Sequence, residues 1–256
     1  MKRLLYFLFL FKVLATDPVP LSNINTNDAK IIVNGGLTDG NLSDDIVYCT
    51  NVFGKAIQLR PTQTTLVSDK VLGLILGHLG EEPTVKLLNM DAVVSNDDPP
   101  YIMDGHHKWA AALTINPDIE VKYIRVELPK DKLITVLNYY TKGKLNIDKG
   151  KQSTGESIEV AFKNLEYKII MAYYNGFTND KVRYDSDKVK SIMKKVIGAN
   201  DSSLNGRTIL IRNLKNKNIV TTPSTLLSKE DMPVIEKEHI PLLINDLQSG
   251  SVDVHQ

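Results

Sequence analysis

Asp104-Gly105-His106-His107-Lys108 is the one stretch of the chain where several chemically able side chains stand at a place that could use them. Ile102 and Met103 before it are apolar, and Trp109-Ala110-Ala111-Ala112-Leu113 after it can pack, so the string reads as strand, tight turn and helix start. The first turn of a helix has unpaired backbone N–H groups and partial positive charge, which together favour a phosphate. Gly105 would let an anion approach that backbone closely, and His106, His107 and Lys108 would add side-chain donors. Asp104 could orient a histidine or bind magnesium through water, although Asp-Gly before a helix is also ordinary turn chemistry. A polar helix start that only caps and packs is the plainer reading of the histidines. A zinc site is a third, but adjacent helical residues point about 100° apart, so both could face one metal only if another segment closed around it. His78, on the apolar face of a helix, reads as a core histidine.

The elements that would position this turn are mixed. Ala56–Arg60 alternates like a strand ended by Pro61, and 66–79 has helical spacing. Residues 84–88, 92–95 and 100–103 read as short strands, 106–114 as a helix, 121–128 as a strand and 130–140 as a helix behind Pro129. Upstream, residues 16–53 form an arm rich in Asn, Asp, Thr and Gly, with Ile31–Val33 and Ile46–Tyr48 as short strands. Downstream, lysines and glycines in 142–155 suit a linker or exposed loop, and 156–175, 187–197, 203–214 and 241–247 carry helical periodicity. The expected fold class is α+β, a small mixed sheet with flanking helices over 54–143, followed by a smaller, mainly helical C-terminal domain over 156–256.

The string Asp104-Gly105-His106-His107-Lys108-Trp109-Ala110-Ala111 resembles the phosphate-binding box of the ParB/sulfiredoxin superfamily, in the Asp-Gly-His-His-Arg-Trp form of phage-encoded ParB-like proteins. Leu59-Arg60-Pro61-Thr62-Gln63, with Lys70, Leu72 and Gly73 in the next helix, is similar to the family's first box, where the chain enters the nucleotide pocket. Asp231–Ile235 and Gly250–Val254 resemble tail segments of phage members. The resemblance covers about a third of the chain. It implies a pocket for ATP or CTP with magnesium, with Gly105, His106, His107, Lys108 and Asn138 as nucleotide-binding residues. Asp104 and Asn138 would help hold the metal, and Asp104 and His107 are the candidate catalytic groups.

Departures from the family narrow this. His106 stands where sulfiredoxins carry their reactive cysteine, which excludes that reductase chemistry, and Leu137-Asn138 replaces the Glu-Asn pair of ParB clamps. No convincing basic recognition helix follows residue 155; Lys188, Lys190, Lys194 and Lys195 are the best patch for DNA. The resemblance therefore leaves open a nuclease, an NTPase, a kinase-type phosphotransferase, or a virion or assembly protein that retains the fold without catalysis. It places the chain in an infected bacterial host or in a virion.

Composition sets outer limits. The chain has 256 residues, 42% hydrophobic and 24% charged, which excludes disorder. With 31 basic and 30 acidic residues no global field draws it to nucleic acid or to an anionic membrane. Single Cys49 excludes internal disulfides and CxxC sites and reads as a buried small hydrophobe. Residues 1–15 combine Lys2-Arg3 with an apolar run and Ala15, a pattern that suits either a signal peptide cut after Ala15 or a segment docking on the protein or a neighbouring subunit. The run falls short of the roughly 20 residues a spanning helix requires.

Overall fold

The computed structural model describes residues 17–41, 44–82, 85–150, 154–197, 203–215 and 227–255. The apolar segment 1–15, Thr84 and Ser202 lie outside the described residues. Helix α1 (Thr26–Gly35) leads to strand β1 (Cys49–Lys55), then to short strands β2 (Arg60–Pro61) and β3 (Thr65–Leu66) and helix α2 (Ser68–Leu79). Next come β4 (Asn89–Val94), β5 (Tyr101–Ile102), α3 (His106–Ile115), β6 (Glu120–Val126) and α4 (Lys130–Gly143). The last part holds β7 (Glu156–Ser157), α5 (Ile158–Asn175), β8 (Phe177–Thr178), β9 (Arg183–Tyr184), α6 (Ser186–Lys194), α7 (Gly206–Lys215) and α8 (Ile240–Gln248).

The central sheet has the order β1-β6-β4-β5-β2. β1 runs antiparallel to β6, with Cys49 opposite Val126 and Lys55 opposite Glu120; β4 is parallel to β6, β5 antiparallel to β4, and β2 parallel to β5. Period-two alternation along the strands sends side chains to two separate cores. Met90, Ala92, Val94, Ile102 and Val121 face one layer, where α2 (Leu72, Ile75, Leu76), α3 (Trp109, Leu113), α5 (Leu165, Ile169), α6 (Ile192, Met193) and α7 (Leu210) pack. Val93, Met103 and Val126 face the other, with α1 (Val33), α4 (Leu133, Leu137, Tyr140), α8 (Leu243, Leu247) and the tail (Val252, Val254). The fold is α+β with a small mixed sheet flanked by helices, as expected.

Several expectations change. Ala56–Arg60, expected as a strand ended by Pro61, is a 3-10 turn over Ala56–Gln58, and only Arg60–Pro61 pairs as a strand. Among the described residues, the helices after residue 155 have no core of their own. α5, α6 and α7 cover the same apolar layer as α2 and α3, while α8 and the tail complete the other face. α2 and α3 present Leu, Ile, Ala and Trp over more than one helix face, and that surface needs a further layer of cover. Ile31–Val33, expected as a strand, lies in α1. Asn25 accepts the Asn27 and Asp28 backbone N–H groups and starts a helix whose inward side is Ala29, Ile32 and Val33. Ile46–Tyr48 is likewise not a strand; the strand begins at Cys49. Cys49 is half-buried, and burial pushes its thiol up to about 11, so it is an inert strand residue.

Candidate functional site

Helix α3 enters through Gly105, whose φ of +86° is open to glycine and costly for other residues. A Cβ there would press on Ala92 at 3.3 Å and Met90 at 3.4 Å, so the turn lies flat against β4. The first turn of α3 has no side-chain cap and no acidic residue, and its residues border a cleft. That cleft, about 240 Å³, is lined by Lys70, Leu74, Met90, Asp91, Gly105, Lys108, Lys181 and Lys237, with Asp104, His106 and His107. Four lysines face two aspartates, so the field favours an anion. The volume is slightly below the usual range of small-molecule pockets, about 300–1,000 Å³.

The histidines do something other than donate to a ligand. His106 is fully buried, and its Nε2 accepts the backbone N–H of Thr62 at 3.2 Å and of Gln63 at 3.1 Å. The Thr62 hydroxyl donates to the Ile102 carbonyl at 2.6 Å and lies 3.3 Å from the same nitrogen. Nε2 is therefore unprotonated and Nδ1 carries the proton. His107 Nε2 accepts the backbone N–H of Val67 at 3.0 Å. Burial drives both imidazoles down to about 3, His106 against the opposing pull of the Ile102 carbonyl, and His107 with further push from Lys70, His106 and Lys229. The pair is neutral and pins residues 62–67, the approach to α2, onto the start of α3. The expected side-chain donors are thus loop fasteners at Nε2; the Nδ1–H of His107 remains a candidate donor toward the cleft, and His106 Nδ1 is buried without a hydrogen-bond partner.

Lys108 is also engaged. Its Nζ donates to the carbonyls of Asn89 at 3.1 Å and Met90 at 3.4 Å and pairs with Asp91 at 3.4 Å. Asp91 has a φ of +46° and bridges Lys108 and Lys237, the latter at 3.3 Å. Asp104 is exposed, and its Oδ1 accepts the Gly105 N–H at 2.7 Å. Its carboxylate borders the cleft and also a neighbouring groove containing Lys229.

Asn138 is corrected. It does not line the α3 cleft. It is buried in α4, and its Nδ2 donates to the carbonyls of Val19 at 2.8 Å and Asp231 at 2.9 Å, tying the arm and the C-terminal segment to that helix. Those two bonds make its Nδ2 a structural clasp; its Oδ1 is buried without a hydrogen-bond partner, but the residue stands away from the lining of the α3 cleft that Asp104 borders. The lysine patch of α6 is partly neutralised, Lys190 by Asp187 and Lys195 by Glu81. His78 is half-buried, and burial lowers its pKa, as a packed histidine should behave.

Sequence reasoning found the α3 turn and Lys70 but missed Asp91, Lys181 and Lys237. Asp91 carried a local signal, an Asn-Met-Asp turn between apolar runs. Lys181 and Lys237 carried none, because only the tertiary fold brings them to the cleft. No family model, no curated protein and no solved structure matches the chain. Among the described residues no helix is long and apolar enough to cross a membrane.

Proposed function

We propose that the protein binds the phosphate groups of a nucleoside triphosphate at the N-terminus of α3. The single observation that carries this is the convergence of an uncapped helix start, entered through left-handed Gly105, with Lys70, Lys108, Lys181 and Lys237 in one cleft. The resemblance of residues 104–111 to the ParB/sulfiredoxin box supports the same reading and suggests ATP or CTP. The backbone N–H groups of His106–Lys108 would hold one phosphate, with Lys70 and Lys181 closing on the others. If magnesium accompanies the nucleotide, Asp104 and Asp91 are the carboxylates at hand, and the ion would offset phosphate charge. His106 and His107 set the shape of the phosphate loop by holding residues 62–67. No proton-accepting role falls to His107, whose Nε2 is already engaged.

The test is calorimetric titration of the full chain with the magnesium complexes of ATP, CTP, GTP and UTP and with tripolyphosphate, repeated on Lys70→Ala/Lys181→Ala. Both lysines are exposed, so the variant should fold. The reading predicts saturable binding weakened about tenfold or more in the variant, since each charge-assisted contact is worth about 1.5 kcal/mol or more. Binding that is absent, or equal in the two proteins, would sink it.

A second reading, subunit assembly, has its own observation. β1 is an edge strand with Phe53 67% exposed, and Tyr48 at 72% and Ile46 at 42% are exposed in the segment that enters it. Self-association through this edge predicts that Phe53→Lys lowers the mass measured by light scattering; a parent that is already monomeric would remove the reading.

A further inference from the structure

The loop between α1 and β1 gathers carboxylates on the side of the molecule where the C-terminal tail docks. Ligand-capable oxygens of Asp39, Asp44 and Asp45 all lie within 4.8 Å of one another, and among the described residues they form the one such group of three. Asp45 is fully buried. Its Oδ1 accepts the Val254 N–H at 2.7 Å, while its Oδ2 is buried with no hydrogen-bond partner. Gly36 gives that oxygen room, because a Cβ there would stand 2.8 Å from it. The charged groups acting on Asp45 are Asp39 and Asp253, both acidic. Asp253 is itself buried, and its backbone N–H is held by the Ile32 carbonyl at 2.9 Å.

A buried carboxylate oxygen facing other carboxylates is strongly unfavourable unless a proton or a cation sits among them. Asn41 links two of them, donating its backbone N–H to Asp39 Oδ1 at 2.9 Å and its side-chain amide to Asp44 Oδ2 at 2.7 Å. We propose that Asp39, Asp44 and Asp45 bind a divalent cation of calcium's size, which fixes the α1–β1 loop in the form that receives the C-terminal tail. The donors are hard oxygens, and two oxygens at about 2.4 Å from one ion lie at most about 4.8 Å apart. The ion would hold the loop alone, and the loop in turn holds the tail, because Asp45 Oδ1 accepts the Val254 N–H. His255 Nε2 meets the Asp44 carbonyl at 2.9 Å, so the tail already contacts the loop beside the site.

The experiment is calorimetric titration of the EDTA-treated full chain with calcium chloride, without nucleotide, together with thermal unfolding. One calcium ion per chain is expected, with a rise in Tm of about 5 to 10 °C at about 100 times the dissociation constant. Asp39→Asn/Asp44→Asn changes two exposed residues and should fold while losing both the heat and the shift. Asp104→Asn, at the α3 cleft, should keep both. The proposal is overturned if the parent shows neither binding nor a shift, or if the double variant binds like the parent. Loss of binding in Asp104→Asn alone would also overturn it, by placing the ion in the α3 cleft.

Discussion

His106 and His107 show how one side-chain type can serve opposite chemistry in the same place. On a helix start they look like donors to a phosphate, yet each Nε2 accepts backbone N–H groups from the approach to α2. His106→Ala would leave the buried N–H groups of Thr62 and Gln63 unpaired, so a loss of about 2 to 5 kcal/mol in denaturant unfolding is expected. His106→Gln, which restores an acceptor, should recover part of it. The pH dependence follows from the low folded-state values of about 3 for both rings. The unfolded chain takes up protons near pH 6.5 and the folded chain only near 3, so stability from these residues is complete above about 6.5 and falls steadily as pH drops toward 3. The slope is at most about 1.4 kcal/mol per pH unit for each histidine. A Tm profile from pH 7.5 to 4 should be visibly flatter in His106→Gln, and an unchanged slope would count against the neutral assignment. These roles were not legible in the sequence, because the partner amides lie some forty residues upstream and nothing local points to them.

At the scale of elements, what could be read depended on whether local chemistry and tertiary packing agreed. α3 was legible because the Asp-Gly turn, the alanines and the Trp109–Leu113 pair all favour the same helix, and both of those large residues are buried. α4 and α5 were legible for similar reasons, α4 from Pro129 at its start and α5 from its apolar periodicity; the Ser157 cap of α5 shows only in the structure. α1 was misread because Ile31-Ile32-Val33 has strand-like composition, while the Asn25 cap and packing against α4 decide for helix. Gly105 carries the element-level prediction. Gly105→Ala forces a Cβ into the left-handed region and toward Ala92, which should cost about 1 to 2 kcal/mol in unfolding free energy. By lifting the turn off β4 it should also weaken triphosphate binding, and a variant as stable and as avid as the parent would contradict the placement of this turn.

For the whole molecule, the sheet and its mixed character were legible, but the division of the chain was not. The periodicity of 156–247 reveals helices without revealing what they cover, and in the structure they complete two layers built around the same sheet. A chain truncated after residue 150 would expose Leu72, Ile75, Leu76 and Trp109, so it should fail to unfold cooperatively and should aggregate. Cooperative melting of that fragment would restore an independent domain. The shared layers also explain why the cleft draws lysines from distant parts of the chain, Lys70 of α2, Lys108 of α3, Lys181 between β8 and β9, and Lys237 before α8. The most direct test of the central claim is to follow the amide resonances of the chain by ¹H–¹⁵N NMR during titration with the magnesium complex of ATP or CTP. The account predicts saturable shifts of the Gly105, His106, His107 and Lys108 amides at the start of α3. Saturable binding that leaves those four amides unmoved would contradict it.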